Sequence, residues 1–279
     1  MSNNVPEENT NLFKVYNQFT EGYSDGNTPW IKGILLTLLN ELLKEKSDAR
    51  ILEVGAGGGA LGEQILKNTS AQEYFAVDGS EPMTMMAKSR LEKLKNTDQL
   101  AEGQRFFVVN ADFTGGSLKG LESNCDIAIQ IGTGDYKTFY ENLYHAIKYV
   151  KDGGYVINGE FYLRSEDSKI NKDAESTFDF FKQYGQNRVG FILQSVVNLL
   201  KSKGGIDYFK MAFSKKFRDE IGNVDRPKIE DILTLAQLFP DAIKLGMTRD
   251  LGFPFALIVI HKTPELMNFL ETRLNSIEG

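Results

Sequence analysis

Acidic residues and glycines follow short apolar runs in the first half of the sequence. Glu53 precedes a glycine-rich segment, residues 55–59, and a glycine-rich turn lets a ligand approach the backbone closely. Asp78 ends the next apolar run, where a carboxylate can accept hydrogen bonds from both hydroxyls of a ribose. Asp112 follows a third run and could accept from an adenine amino group. These residues predict a site for a ligand that contains a nucleoside.

Alternating strands and helices are needed to bring these groups together. On a parallel sheet the carboxyl ends of the first three strands share one edge, so Glu53, Asp78 and Asp112 are expected to converge there. Only residues 250–254 separate the last two runs, which predicts a hairpin and an antiparallel last strand. We predict strands at residues 50–54, 74–77, 105–109, 126–131, 155–161, 243–248 and 255–260, and helices at residues 12–19, 31–43, 60–67, 82–94, 139–150 and 229–238.

The predicted fold is a doubly wound α/β fold with a seven-stranded, mostly parallel sheet, an antiparallel last strand and a helical cap insertion. The helix at 139–150 is expected to stop at residues 152–154, Asp-Gly-Gly, because glycine is typical of a helix C-cap. The predicted domains are an N-terminal helical lid at 1–45, a core at 46–164 and 225–265, a helical cap at 165–224 and a C-terminal tail at 266–279.

The glycine spacing by itself leaves two kinds of ligand open. Gly55, Gly57 and Ala60 also match a dinucleotide-binding fingerprint, with Asp78 in the ribose position. Glu53 lies two residues before the first glycine. A carboxylate there suits a ligand with a positively charged amine and suits a pyrophosphate badly.

Five segments in this order resemble the class I S-adenosylmethionine-dependent methyltransferases of the small-molecule type. The resemblance covers roughly residues 12–162 and 229–262 and extends to the hairpin of the last two strands. The segments are Glu-Val-Gly-Ala-Gly-Gly-Gly at 53–59, Val-Asp-Gly-Ser at 77–80, Asn-Ala-Asp-Phe at 110–113, Cys-Asp-Ile-Ala-Ile-Gln-Ile-Gly at 125–132 and Val-Lys-Asp-Gly-Gly-Tyr-Val at 150–156.

The resemblance implies S-adenosylmethionine as the cofactor and gives several residues a role in binding it. Gly55 and Gly57 would lie against the methionine part, Glu53 would face its amine, and Gln130 would lie near the same part. On the nucleoside side, Asp78, Gly79, Met83, Asp112 and Phe113 would contact the ribose and the adenine. Tyr16 and Tyr23 would belong to an N-terminal lid, with ordinary aromatic packing as the alternative, and core packing is the alternative for Met83.

Transfer of a methyl group needs alignment of the acceptor, and a general base only if the acceptor carries a proton. The candidate catalytic residues are Asp135 and Tyr136 after strand four, Glu160 at the end of strand five, and His145 within a helix. The candidate substrate-binding residues are Tyr162, Arg164, Phe181 in the insertion, and Arg249 in the final hairpin. A solvated edge residue, a helix cap or core packing is the alternative for each.

The composition narrows the class of protein further. The chain has 279 residues, a net charge of −6, two histidines and one cysteine, Cys125. We therefore expect neither a His/Cys metal site nor an intramolecular disulfide. The single cysteine favours a reducing compartment, so we expect a cytoplasmic location. The acidic balance argues against nucleic-acid and anionic-membrane partners, and no apolar run is long enough to span a membrane. The oligomeric state stays open.

The sequence thus predicts a methyltransferase that acts on oxygen, nitrogen or carbon of a small molecule, such as a specialised metabolite. No Asn/Asp-Pro-Pro-aromatic motif follows strand four, where residues 131–135 read Ile-Gly-Thr-Gly-Asp, and this lowers the odds for adenine or glutamine acceptors. Three alternatives remain. They are a fold relative that binds S-adenosylmethionine and catalyses another reaction such as a cyclisation, an NAD-dependent oxidoreductase, and a non-catalytic binding module.

Overall fold

The computed structural model describes residues 29–113, 118, 120–131, 139–161, 228–248 and 255–275. Six helices and seven strands lie within these ranges. In chain order they are α1 (Pro29–Leu43), β1 (Arg50–Val54), α2 (Ala60–Asn68), β2 (Glu73–Asp78), α3 (Glu81–Asn96), β3 (Arg105–Asn110), β4 (Cys125–Ile131), α4 (Phe139–Lys148), β5 (Val150–Phe161), α5 (Ile229–Leu238), β6 (Ile243–Thr248), β7 (Phe255–His261) and α6 (Pro264–Asn275).

The seven strands form one sheet in the order β3-β2-β1-β4-β5-β7-β6. β2 pairs in parallel with β1 and β3, and β4 pairs in parallel with β5. β7 runs antiparallel to both of its neighbours, β5 and β6. The predicted fold class, a mostly parallel seven-stranded sheet with an antiparallel last strand, is confirmed. The predicted lid helix at 12–19 and the insertion at 165–224 lie outside the described residues, and the domain boundaries stay a prediction.

The described residues divide into two units, and the first comprises residues 29–113. Its strands β1 and β2 are short apolar runs that are almost wholly buried. α3 buries one side chain every three or four residues, as an amphipathic helix does: Met83, Ala87, Leu91 and Leu94. The hydroxyl of Ser80 caps α3 by accepting the N–H of Met83 at 3.4 Å. This cap fixes the start of α3 directly after the end of β2.

The second unit holds the described residues from Leu118 onward. β4 and β7 lie at its centre, and residues 256–260 of β7 are all buried. α4 packs on α6, where the guanidinium of Arg273 lies 5.1 Å from the ring centroid of Tyr140. The hydroxyl of Tyr140 donates to Asp231 of α5 at 3.5 Å. These contacts join three helices on this part of the sheet.

The prediction that Asp152–Gly154 ends a helix is wrong. α4 stops at Lys148, and these residues lie within β5. Residues 150 and 155 of β5 pair with residues 125 and 127 of β4, so β5 bulges between them. Gly153 has φ of 75°, and a side chain on Gly154 would meet the carbonyl of Asp126 at 2.6 Å. A bulge and a C-cap both need glycine, so the two glycines did not distinguish them.

Helix α6 occupies much of the stretch that the sequence analysis treats as a tail. Thr263 caps it, because its hydroxyl accepts the N–H of Leu266 at 3.3 Å. Leu266 and Leu270 are buried one helical turn apart. Thr263, Pro264 and this pair of leucines are a recognisable signal for the start of a helix.

Candidate functional site

The loop between β1 and α2 is built on glycines that adopt a left-handed backbone. Gly55, Gly57 and Gly59 have φ of 68°, 53° and 73°, a region that disfavours residues with a side chain. The N–H groups of Gly55 and Ala56 both donate to the carbonyl of Val77, at 2.8 and 3.0 Å. The loop is therefore held against the last residues of the neighbouring strand β2.

Asp78, the last residue of β2, is fastened to the same loop. One carboxylate oxygen accepts the N–H of Gly57 at 2.8 Å, and the other accepts the N–H of Ser80 at 2.8 Å. Burial raises the pKa of Asp78, while the two N–H groups act against that rise. A carboxylate has about four acceptor positions, so acceptor capacity remains on both oxygens. Asp78 thus presents an oriented acceptor at the edge of the site.

Glu53, the second carboxylate, is buried on β1 and has a tyrosine as its partner. The hydroxyl of Tyr74 donates to the Glu53 carboxylate. Glu53 is 6 % exposed, and Tyr74 is 0 % exposed. Burial first, and then the charge of Glu53, raise the pKa of Tyr74 well above its ordinary value, so the phenol stays protonated. The sequence analysis missed Tyr74.

The end of β3 is joined to the end of β2. The backbone N–H of Ala111 and the side-chain amide of Asn110 both donate to the carbonyl of Asp78, at 3.1 and 3.0 Å. Asp112 and Phe113 follow directly, and Phe113 is buried. The chain after β3 therefore starts beside the Asp78 backbone, as the strand order predicts.

Met83 lies beside the glycine-rich loop. Its sulfur is 4.0 Å from the position that a Cβ on Gly57 would occupy, and its side chain is 2 % exposed. Gly79 is partly exposed between Asp78 and the Ser80 cap. Four elements of the first unit, β1, the loop, β2 and the start of α3, thus place predicted cofactor residues close together.

A buried amide pair lies near the carboxyl ends of β4 and β5. Gln130 and Asn158 face each other across these two strands, and the Asn158 amide donates to the Gln130 oxygen at 3.3 Å. They are 0 % and 3 % exposed. Gln130 Nε2 and Asn158 Oδ1 have no hydrogen-bond partner among the described residues. Exchanging oxygen and nitrogen in both amides would still leave one donor and one acceptor unpaired.

His145 and Glu160 occupy different parts of the second unit. His145 lies in the last turn of α4, and its ring centroid is 5.8 Å from that of Tyr144. The residues after α4 approach the start of β4, since the carbonyl of Tyr149 accepts the N–H of Cys125 at 3.0 Å. The backbone of Glu160 pairs with Ala256 near the end of β5. His145 therefore lies towards the amino end of β4, and Glu160 lies at the carboxyl end of β5.

Several predicted site residues lie outside the described residues and stay predictions. They are Tyr16, Tyr23, Asp135, Tyr136, Tyr162, Arg164, Phe181 and Arg249. Among the residues that the structure does describe, no group of three or more His, Cys, Asp or Glu side chains is arranged to hold a metal ion. In that same part of the chain, no helix is both long and apolar enough to cross a membrane.

Comparison with known proteins establishes the fold. No protein-family model matches the sequence, and no curated protein matches it significantly. Among solved structures, the chain is similar to the CMeT domain of the citrinin polyketide synthase. The TM-score is 0.51 at 16 % identity, over 92 % of this chain and 57 % of that one. Phosphoethanolamine N-methyltransferase 2 of Haemonchus contortus, in complex with phosphomonomethylethanolamine and S-adenosylhomocysteine, gives a TM-score of 0.51 at 14 % identity, over 92 % and 60 %.

The strand order and these two matches define one structural class. The chain has the fold of the class I S-adenosylmethionine-dependent methyltransferases. It spans less than two thirds of the length of either matched chain. At 14–16 % identity the likeness concerns the fold, and the activity has to be argued from the residues of the site.

Proposed function

We propose that the protein binds S-adenosylmethionine and transfers its methyl group to oxygen, nitrogen or carbon of a small molecule, with a specialised metabolite as the class we favour. The observation that supports this most directly is the carboxylate of Asp78, which the N–H groups of Gly57 and Ser80 hold at the edge of the glycine-rich loop. On this proposal the remaining lone pairs of Asp78 accept hydrogen bonds from the hydroxyls of the cofactor ribose, and Gly79 lies beside the ribose.

The buried carboxylate of Glu53 supports an amine as the ligand group near the loop. A buried negative charge favours a cation and repels a pyrophosphate. Four N–H groups of the loop are also already donated within the protein, those of Gly55, Ala56, Gly57 and Gly59. A dinucleotide site relies on such groups to bind its phosphates. Both observations favour S-adenosylmethionine over NAD.

The adenine is assigned to the residues that follow β2 and β3. Met83 borders Gly57, and the segment with Asp112 and Phe113 begins where the chain is bonded to the Asp78 carbonyl. In our proposal Met83 and Phe113 contact the adenine ring, and the Asp112 carboxylate accepts a hydrogen bond from the adenine amino group. Tyr16 and Tyr23 complete the cofactor site as parts of a lid.

Gln130 is assigned to the methionine part of the cofactor, and its unpaired amide supports this. The unpaired donor of Gln130 and the unpaired acceptor of Asn158 complement a carboxylate and an ammonium group, the two ends of an amino acid. Buried polar atoms without a partner cost about 1–3 kcal/mol each. Retaining them is understandable if a ligand uses them.

S-adenosylmethionine supplies a methyl group that its sulfonium has already activated. The chain's contribution is then to align the acceptor atom and to exclude water, and orientation can lower a barrier by about 7–11 kcal/mol. We assign substrate binding to Tyr162, Arg164, Phe181 and Arg249, and proton removal to Asp135, Tyr136, Glu160 or His145. The position of Glu160 at the carboxyl end of β5 favours it over His145.

The cellular setting belongs to the same proposal. The single cysteine, Cys125, is buried in β4, which fits a reducing compartment such as the cytoplasm. A small molecule is the proposed partner, and nucleic acid and membrane surfaces are not.

Product analysis tests the proposed activity. The protein is incubated with S-adenosylmethionine and a panel of small-molecule fractions, and S-adenosylhomocysteine and methylated products are followed by mass spectrometry. Asp78→Ala should lose product formation, and Asp48→Ala, a change at an exposed aspartate, should keep it. Conversion of a substrate without consumption of S-adenosylmethionine would replace the proposal with a non-methylating reaction such as a cyclisation.

A further inference from the structure

Glu53 and Tyr74 lie on one face of the sheet, although 20 residues separate them in the sequence. β1 and β2 pair with Ile51 opposite Tyr74. Side chains alternate between the faces of a strand, so Glu53, two residues beyond Ile51, shares the face of Tyr74. The Tyr74 hydroxyl reaches along the strand and donates to the Glu53 carboxylate.

Helix α2 holds the tyrosine ring in this position. A side chain on Gly62 would collide with the hydroxyl and the adjacent ring carbons of Tyr74. Gly62 and Tyr74 are both buried, so α2 packs directly against the hydroxyl end of the ring. α2 begins directly after the glycine-rich loop, at Ala60. The tyrosine hydroxyl is thereby fixed relative to the loop as well as to the strand.

A fixed phenol has a defined chemical effect on a buried carboxylate. A hydrogen bond to the charged form of an acid favours that form, and a charged acceptor with a set orientation binds an ammonium group better than a mobile one. The phenol itself stays protonated because burial and Glu53 raise the pKa of Tyr74. The phenol is therefore a hydrogen-bond donor at neutral and acidic pH.

We propose that Tyr74 is a positioning residue that keeps the Glu53 carboxylate charged and oriented for the amine of the amino-acid part of the ligand. The inference rests on the proposed function, because it needs a ligand with an amine at this loop. It goes further by naming the residue that sets the preference for an amino-acid-bearing nucleoside. Tyr74 itself is not expected to touch the ligand.

Two ligands that differ in one part test this inference. S-adenosylhomocysteine carries the amino-acid part, and 5′-methylthioadenosine has the same nucleoside without it. Binding of each to the full chain is measured by calorimetry. Tyr74→Phe, which removes only the hydroxyl, should weaken the binding of S-adenosylhomocysteine about tenfold, an effect in the range of a hydrogen bond to a charged group. Binding of 5′-methylthioadenosine should change less than about twofold.

The pH profile separates positioning from a purely structural role. Tyr74→Phe removes a hydrogen bond that favours the charged form of Glu53 over its protonated form. The affinity of Tyr74→Phe for S-adenosylhomocysteine should therefore begin to fall at a higher pH than that of the wild type. Tyr140→Phe is the matched control, since it removes a tyrosine hydroxyl that donates to Asp231 in the second unit. It should leave both affinities and the profile unchanged.

Each outcome decides a separate question. Equal weakening of both ligands by Tyr74→Phe, or no change in either, would overturn the inference while leaving the proposed function intact. A wild type that binds neither ligand would overturn the proposed function and this inference together. Should Tyr74→Phe not fold, Glu53→Gln provides the second test, because it removes the charge that Tyr74 is proposed to maintain while it keeps an acceptor for the Tyr74 hydroxyl. The same selective loss of S-adenosylhomocysteine is expected, and equal affinities would overturn the inference.

Discussion

The backbone N–H of Gly57 donates to the carboxylate of Asp78 at 2.8 Å, so the loop after the first strand is fastened to the acidic end of the second. The bond orients the carboxylate and fixes a glycine whose φ of 53° disfavours other residues. Loop and acceptor therefore form one unit. A substitution in the loop or at Asp78 should therefore change ligand binding and local stability together.

Asp78→Ala should weaken both binding and folding. Two ribose hydroxyls lose a charged acceptor, and we expect the affinity for S-adenosylhomocysteine to fall about 10- to 100-fold. The N–H groups of Gly57 and Ser80 also lose their acceptor, at a cost of about 1–3 kcal/mol in the free energy of unfolding. Calorimetry and urea denaturation measure the two effects. Lower stability with unchanged affinity would make Asp78 a structural residue.

Binding of S-adenosylhomocysteine should depend on pH through Asp78. Because burial raises the pKa of Asp78, its carboxyl takes up a proton at a higher pH than an ordinary aspartate, and the protonated form accepts fewer hydrogen bonds. Affinity should therefore fall as the pH decreases through that raised pKa. Asp78→Asn should bind weakly and lose the part of this decline that is due to Asp78. An identical decline in Asp78→Asn would assign the titration to another group.

Protonation of Asp78 should weaken ligand binding but increase the free energy of unfolding. A raised carboxyl pKa is unfavourable to folding at neutral pH, and this cost disappears as the pH falls below the ordinary value. Without ligand, acidification should therefore make the wild type more stable relative to Asp78→Asn, which is read from the difference between their unfolding free energies. Denaturant titrations at several pH values measure it. A shift in the other direction would mean that the hydrogen bonds to Asp78 outweigh its burial.

Gly59→Ala should destabilise the loop and its helix contact. Gly59 has φ of 73°, and a Cβ there would lie 3.0 Å from the Cα and Cβ of Ala87 in α3. We expect a loss of about 1–3 kcal/mol in unfolding free energy. Gly120→Ala is a control for the backbone conformation alone, since Gly120 has φ of 82° but nothing within 4 Å of its Cβ position. Equal losses in the two variants would exclude the contact with Ala87 as a cause.

Replacing both Gln130 and Asn158 by leucine should preserve the fold but weaken ligand binding. Changing one residue to leucine leaves the other amide without its partner, at about 1–3 kcal/mol. The double variant Gln130→Leu/Asn158→Leu removes the unpaired atoms and should be more stable than either single variant. Its affinity for S-adenosylhomocysteine should fall, while that for 5′-methylthioadenosine should hold. A double variant with full affinity would show that the pair does not bind the ligand.

Periodicity predicted most of the described fold. Strand β1 and helix α5 have the predicted bounds, because short apolar runs with polar borders leave little choice of length. The positions of the loop glycines and of Asp78 after or at strand ends were predictable too, because an apolar run followed by glycine is visible in the sequence. Helix α6 was missed although Thr263 and Pro264 mark its start.

Contacts that depend on strand register were not predictable from the sequence. Tyr74 occupies an ordinary position within β2, and only the pairing of Ile51 with Tyr74 places it on the face of Glu53. The partner of Gln130 likewise depends on the register of β4 and β5. The bulge at Gly153 sets that register, and a glycine pair indicates a bulge and a helix end equally well.

Calorimetric titration of the purified protein with S-adenosylhomocysteine and, separately, with NAD tests the proposed function most directly. We predict micromolar binding of S-adenosylhomocysteine and no binding of NAD, because the Glu53 carboxylate favours an amine over a pyrophosphate and the loop N–H groups are already donated within the protein. Binding of NAD alone would contradict the assignment and make the glycine-rich loop a dinucleotide site.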